Sequence, residues 1–233
     1  MKTEIVKKLE SFIDKSRKVN DMNGFEKAFA LADAFKELNS ALTTDLVKPI
    51  YELQGSKLGF RTDKDSGQGY TVEVVKRCLI EAVLTGVQPV NNQFNIIAGN
   101  CYITKEGFGY LLKNYSGLKW EIIPMLPRIN EEKKSAAITM QIKWSINGGE
   151  ENERNIDFPI KLNNFMGTDA VIGKATRKAR AWLYNNITDN EIADGDVQDV
   201  NAQDVTYQGA IKEPKIDVSQ ATAKKLFDDG AEK

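Results

Sequence analysis

The stretch Gly173-Lys-Ala-Thr-Arg-Lys-Ala-Arg-Ala-Trp-Leu-Tyr184 decides the fold predicted for this chain of 233 residues. Its apolar residues recur at the spacing of one helical face, which favours a helix docked into a core. The opposite face and its border hold four cations and an aromatic ring: Lys174, Arg177, Lys178, Arg180 and Tyr184. A row of positive charge beside an aromatic ring is typical of a surface that follows a phosphate backbone. A solvated outer face is the alternative interpretation.

Strand and turn signals precede this helix. Residues 93–98 and 101–104 flank the turn pair Gly99-Asn100 and predict a hairpin. A short helix is predicted over residues 105–115. Strand-like segments and polar turns then alternate: strands 118–125, 136–146 and 154–160, with turns at 128–134 and 147–153. Because these strands are neighbours in sequence, the sheet is predicted to be antiparallel.

The N-terminal part of the chain, residues 1–70, is predicted to be mainly helical. Apolar residues recur at helical spacing from Ile5 to Val19, and a second set continues the pattern: Phe25, Phe29, Ala32, Phe35 and Leu38. A third helix over 43–53 is interrupted by Pro49, and residues 55–70 read as a loop. The helix that follows begins after Thr71 as its N-cap and stops at Gly86.

Composition restricts the possible functions. The chain contains no histidine, which excludes a Ser-His or Cys-His nucleophile pair within it and the common zinc sites. No phosphate-binding loop of the Gly-x-x-x-x-Gly-Lys-Ser/Thr type occurs, so we predict no nucleotide cofactor. From these absences together we also predict no metal and no classical enzyme. The charged N-terminus and the lack of a long apolar run predict a cytoplasmic protein without a membrane segment. Cys78 and Cys101 lack metal-ligand spacing and fit small core residues in a reduced compartment.

Charge is distributed unevenly along the chain. Residues 189–233 hold 11 acidic and 5 basic side chains, which leaves 27 basic and 22 acidic side chains in residues 1–188. We therefore predict a basic core over 1–188 and an acidic linker and tail over 189–233, with a short helix from Ser219 to Phe227. The predicted class is α+β: N-terminal helices, a hairpin and a small antiparallel sheet packed with the long basic helix, and a flexible acidic tail.

Two blocks of this order carry a resemblance. Residues 80–98 and 102–112 combine a helix, the turn Gly86-Val-Gln-Pro89, a hairpin and a helix that bears glycine and an aromatic residue. The second block is the basic helix within Met166–Ile187. In this arrangement the chain resembles the phage RecT/lambda-Beta family of single-strand annealing proteins, with valine at the leucine position of the family's Gly-Leu-x-Pro turn. The resemblance covers roughly residues 70–190.

The resemblance implies ATP-independent binding of single-stranded DNA and annealing of complementary strands during phage recombination. It also implies a homo-oligomer, as a ring or a helical filament, that holds the strand and the annealed duplex in a basic groove. The residues implied to contact DNA are Lys105, Lys174, Arg177, Lys178 and Arg180, with Tyr184 as the candidate for base stacking. The acidic tail would dock a phage exonuclease or the host single-strand-binding protein.

Two other functions stay open at this point. A metal-dependent nuclease would use Glu132 or the pair Glu150-Glu151, because two-metal chemistry requires neighbouring carboxylates, although both groups fall in predicted turns. An interaction or scaffold protein would instead pack the basic helix against an acidic partner, or against the chain's own acidic tail.

Overall fold

The computed structural model describes residues 2–19, 22, 24–130, 132, 134–163 and 166–188. These residues form six helices and seven strands, which confirms the predicted α+β class. They belong to the first of two units in the chain, Met1–Gly195. The predictions for 189–233, including the helix from Ser219 to Phe227, lie outside the described residues.

Four helices form the N-terminal part of the fold: α1 Lys2–Val19, α2 Gly24–Ala41, α3 Thr44–Tyr51 and α4 Val72–Thr85. The first three each pack against α4, which is buried along one face. α4 ends where predicted, because Gly86 adopts the left-handed conformation (φ 96°) that terminates a helix. The predicted interruption at Pro49 is wrong. α3 continues through this residue. The fixed φ of proline is compatible with a helix, and the residue removes only one backbone donor from it.

The outward side of α2 differs from the expectation for an apolar helical face. Leu38 is fully buried, but Phe25 is 84% exposed and Phe29 is 69% exposed. Phe35 is also exposed. The helix therefore has two apolar sides, and only the one that carries Leu38 joins the core.

A small sheet lies beside these helices. It consists of β1 Arg61–Thr62, β2 Phe94–Ile97 and β3 Asn100–Ile103. The antiparallel pair β2–β3 confirms the predicted hairpin. β1 pairs with β2 in parallel, so part of the predicted 55–70 loop forms an edge strand and the sheet is mixed. The parallel strand β1 is an addition that the sequence did not indicate.

A hydrogen-bond network holds the 55–70 segment to the hairpin tip. The backbone N–H of Ala98 donates to Asp63 Oδ2 over 3.0 Å, and the Tyr70 hydroxyl donates to Asp63 Oδ1 over 2.7 Å. The Tyr70 hydroxyl in turn accepts from the backbone N–H of Gly99 over 2.9 Å. The hydrogen bond from Ala98 is the main cause of the lowered pKa of Asp63, so the carboxylate form of this side chain stabilises the fold.

The larger sheet is an antiparallel meander of β4 Leu118–Pro124, β5 Arg128–Asn130, β6 Ser135–Ile146 and β7 Asn152–Lys161. β6 is central: β4 and β5 pair along one side of it and β7 along the other. The predicted turn at 128–134 is therefore partly a strand. Alternate side chains of β6 are buried on one face of the sheet: Ala136, Ile138, Met140, Ile142 and Trp144.

Two further helices complete the core. α5 Lys105–Lys113 follows the hairpin directly, and α6 Thr168–Thr188 is the long basic helix. α6 packs against α5 on one side and against the buried face of β4, β6 and β7 on the other. The sequence predicts that α6 is buried on one face only. In the structure α6 lies between α5 and the larger sheet.

Candidate nucleic-acid interface

α6 is covered over most of its circumference. Seven of its residues are buried, and they spread over two sides of the helix: Val171, Ala175, Arg177, Ala179, Ala181, Leu183 and Tyr184. Trp182 is partly buried and packs edge-on against Trp144, with 5.7 Å between ring centres. The predicted buried face is confirmed by Ala175, Ala179 and Leu183. The predicted single outward row of cations is wrong, because β3 and α5 cover part of it.

Arg177 is a buried residue, with 7% of its surface exposed. Its Nε donates to the backbone carbonyl of Ile103 over 3.0 Å, and the guanidinium carbon lies 4.0 Å from the ring centre of Tyr102. A guanidinium can be buried in this way because its planar head stacks on an aromatic ring while its N–H groups donate to carbonyls. The prediction that Arg177 points outward is therefore wrong: in this fold it joins α6 to the end of β3.

Tyr184 also lies inside the core, where it packs against Phe108. The two rings are tilted, and their centres are 6.2 Å apart. Both residues are almost fully covered. The prediction that Tyr184 borders an open basic face and stacks on bases is therefore wrong.

Arg180 and Lys105 meet at the N-terminus of α5. Arg180 Nη1 donates to the backbone carbonyl of Lys105 over 2.6 Å, and the Lys105 side chain is exposed. The guanidinium of Arg180 also lies 5.6 Å from the ring centre of Trp120 on β4, and both side chains are only partly covered. We call this group the Lys105–Arg180–Trp120 cluster. It places one guanidinium beside an indole ring on the edge of α6 that faces β4, next to the backbone of Lys105. The Lys105 ammonium is exposed and lies 3.6 Å from Glu106 Oε1.

The surroundings of Arg180 influence its charge. Partial burial lowers the pKa of its guanidinium from the usual value, and the carboxylate of Glu106 opposes that shift. Arg180 Nε is covered and has no hydrogen-bond partner among the residues that the structure describes. Because the pKa of arginine is far above neutral pH, the side chain stays positive and retains an unused donor.

Lys174 and Lys178 lie on the other edge of α6. At 100° per residue they are about 120–160° away from Arg180 around the helix axis. Lys174 is exposed, and Lys178 Nζ donates to the backbone carbonyl of Pro159 on β7 over 3.3 Å. The structure therefore divides the predicted basic residues into two groups and brings only Lys105, Arg177 and Arg180 together.

Local sequence explains how α5 is positioned for these contacts. Thr104 caps the helix, because its hydroxyl accepts from the backbone N–H of Gly107 and donates to the carbonyl of Asn92. A side chain at position 107 would overlap the carbonyl oxygen of Gln93, so glycine is required there for close packing. A Cβ at position 109 would lie 2.8 Å from Arg180 Nη1, so Gly109 leaves room for that guanidinium across the helix.

Trp120 is the residue of this surface that the sequence did not indicate. It occupies an inward position of β4, opposite Trp144 on β6. An inward aromatic residue near a strand end is ordinarily a core residue, and only the crossing of α6 reveals that Trp120 lies beside a cation. The alternation of side chains in β4 indicates which face of the sheet Trp120 lies on, but it does not indicate which residue of a helix packs against the ring.

The carboxylates considered for a metal site are placed apart from this surface. Glu132, Glu150 and Glu151 are exposed in the turns on either side of β6. Within the described ranges, no three histidine, cysteine, aspartate or glutamate residues are close enough to hold a metal ion. No helix in the part of the chain that the structure describes is both long enough and apolar enough to cross a membrane.

Comparisons with known proteins give no match of any kind. Neither a family model, nor a curated protein sequence, nor a solved structure is similar to this chain at a significant level.

Proposed function

We propose that this protein binds single-stranded nucleic acid with little sequence preference and promotes the annealing of complementary strands without ATP. The observation that carries this proposal is the Lys105–Arg180–Trp120 cluster. It combines cations with a partly exposed aromatic ring on one surface, which is the combination used by proteins that hold single strands.

Each member of the cluster has a distinct role in this proposal. Lys105 and Arg180 neutralise backbone phosphates, an interaction that ignores sequence and leaves the bases free to pair. Trp120 offers a ring face on which a base stacks. Arg177 and Tyr184 act indirectly, because they fix the end of β3 and α5 from within the core.

Charge and family resemblance add to the support. Residues 1–188 carry an excess of basic side chains, whereas residues 189–233 are acidic, so residues 1–188 are the part of the chain suited to a polyanion. The order of elements that resembles the RecT/lambda-Beta family includes α5 and α6, which supply Lys105 and Arg180, and β4 supplies Trp120. In this proposal the protein works in the cytoplasm as a homo-oligomer and requires no cofactor.

Binding of a fluorescent oligonucleotide, measured at several salt concentrations, tests the cluster. Lys105→Ala and Arg180→Ala are each expected to lower the salt slope by about one unit, equally for unrelated sequences. Trp120→Ala is expected to weaken binding by about 1–3 kcal/mol with little change in the slope. Lys48→Ala is the matched control, because Lys48 is an exposed lysine on α3 that pairs with Asp45. Unchanged binding in all three cluster variants would remove this surface from the proposal.

Lys174→Ala and Lys178→Ala ask whether the second edge of α6 also contacts the strand. The proposal that the predicted cations all touch phosphate requires both variants to lower the salt slope. Binding that is unaffected by both would confine the strand to the edge that faces β4.

The annealing step is tested separately with labelled complementary strands. Faster pairing in the presence of protein, with no requirement for ATP or Mg²⁺, is the expected result. Retention of single strands without faster pairing would reduce the function to binding alone. Release of nucleotides in Mg²⁺ would instead indicate a nuclease.

The acidic tail is proposed to dock a partner of the recombination reaction, such as an exonuclease or a single-strand-binding protein. Truncation after residue 188 tests this role. Unchanged oligonucleotide binding by the truncated chain agrees with docking, whereas tighter binding would show that the tail competes with nucleic acid for the basic surface.

A further inference from the structure

The outward side of α2 carries an apolar stripe that the described residues leave largely exposed. It consists of two alanines and three phenylalanines: Phe25, Ala28, Phe29, Ala32 and Phe35, all exposed. With Phe25 at 84%, Phe29 at 69% and Phe35 at 37% exposure, the three rings present about 400 Å² of apolar surface. A patch of this size is comparable to the largest apolar patch on a typical monomer, and such a patch is often an interaction site.

The spacing of the stripe specifies what kind of element fits it. Residues 25, 28, 32 and 35 follow one another at intervals of three, four and three, which is the a and d pattern of a coiled coil. The buried side of the same helix, which includes Leu38, packs against α1 and α4. α2 thus presents a second helix-pairing seam in addition to the one that the fold uses.

The residues at the four a and d positions, 25, 28, 32 and 35, have the same order in both directions along the helix. Phenylalanine stands at each end and alanine at the two central positions, symmetric about residue 30. If a second α2 lies antiparallel on the first, Phe25 meets Phe35 and Ala28 meets Ala32, as the a and d layers of antiparallel helices require. The small central residues let the two backbones approach, and the rings fill the ends.

We propose that α2 pairs with α2 of a second copy of this chain, antiparallel, across a two-fold axis at residue 30. Such a contact is self-complementary, as in most symmetric dimers. The two stripes together supply about 800 Å² of apolar area, which is below the roughly 1,200 Å² of a standard stable interface, so the pairing is weak and depends on protein concentration. The proposal does not rest on nucleic-acid binding.

The first test measures the mass of the full chain in solution without nucleic acid, by sedimentation over about 1–100 μM protein. Phe29→Asp is expected to raise the concentration needed for pairing by about 10-fold or more. Leu126→Asp is the matched control, because Leu126 is an apolar residue that is 88% exposed on another surface. A wild-type chain that stays monomeric throughout, or a Phe29→Asp variant that assembles like the wild type, would overturn the proposal. Circular dichroism verifies that both variants fold.

The second test fixes the orientation by disulfide formation. Ala28→Cys and Ala32→Cys chains are prepared separately and oxidised alone and mixed. The mixture is expected to give a covalent dimer, whereas each variant alone is not, because equivalent residues are offset along the axis by about 6 Å. Burial raises the pKa of Cys78 to about 11 and that of Cys101 well above its usual value, so the native thiols react little. Cross-linking that is equal in all three samples, or absent from the mixture, would refute the antiparallel contact.

Discussion

Replacing Arg177 by alanine is expected to destabilise the fold. Its Nε donates to the Ile103 carbonyl over 3.0 Å, and its guanidinium lies 4.0 Å from the ring centre of Tyr102. Loss of a hydrogen bond from a charged donor costs about 1.5–3 kcal/mol, and loss of a buried cation–π contact costs about 0.5–2 kcal/mol. The free energy of unfolding should therefore fall by about 2–5 kcal/mol, which lowers the Tm by roughly 5–15 °C for a domain of this size.

Urea unfolding followed by circular dichroism measures this change. Lys174→Ala on the same helix is the control and should stay within about 0.5 kcal/mol of the wild type, because the side chain is exposed. Arg177→Lys should lie between the two, since it retains the charge but lacks the planar head. If Arg177→Ala is as stable as the wild type and loses only oligonucleotide binding, then Arg177 faces outward and the reasoning fails.

Three further substitutions test the packing of α5 and the hairpin. Gly107→Ala should destabilise the fold by about 2–4 kcal/mol in urea, because its methyl group meets the rigid Gln93 carbonyl; unchanged stability would contradict this close packing. Gly109→Ala should weaken oligonucleotide binding as much as Arg180→Ala, because its methyl group displaces a flexible guanidinium. Alanine favours the helix by about 1 kcal/mol, which offsets part of the lost hydrogen bond to the Lys105 carbonyl, so a Tm lower than that of Arg180→Ala would refute this. Folding lowers the pKa of Asp63, so its contribution is complete above the ordinary carboxyl pKa and disappears as the pH falls through the lower native pKa. Asp63→Asn should therefore reduce the loss of stability below about pH 4 in acid titrations, and an unchanged acid profile would count against the network.

Local signals in the sequence were sufficient for most elements of the fold. The glycine at position 86 terminates α4 because only a residue without Cβ adopts that conformation at low cost. The Gly99-Asn100 pair gives the hairpin, and alternation gives the buried face of β6. These features depend on residues near each other in the chain, so the sequence reports them directly.

The residues that pack against α6 could not be predicted from the sequence of α6 alone. Helical periodicity identifies the apolar residues of a helix, but it treats every arginine as solvent-facing. Arg177 is buried because β3 supplies a carbonyl and Tyr102 supplies a ring, and α5 then closes over Tyr184. These partners lie some 75 positions earlier in the chain, and a single sequence does not specify that they meet α6.

The prediction for α2 was wrong in the opposite direction, because side chains expected to be buried are exposed. The pattern that includes Phe25 and Phe29 is apolar at helical spacing, which is the signal of a core-facing side, yet both rings are exposed. Periodicity indicates that a surface is apolar but not whether the same chain or another molecule covers it. The fold resolves this point, because α1 and α4 occupy only the Leu38 side.

The two arginines of α6 connect stability to the candidate interface. Arg177 binds the carbonyl of Ile103 and Arg180 binds that of Lys105, so one helix holds the segment between β3 and α5 at two nearby points. This segment carries the Lys105 side chain to the surface. A variant that neutralises all four cations of α6 would therefore lose binding through unfolding as well as through charge, and its result would be ambiguous. Lys105→Ala removes an exposed side chain without breaking either carbonyl contact, and it is the substitution that separates nucleic-acid binding from folding. Trp120→Ala also removes a ring that packs partly against the core, so its oligonucleotide binding is read together with its stability in urea.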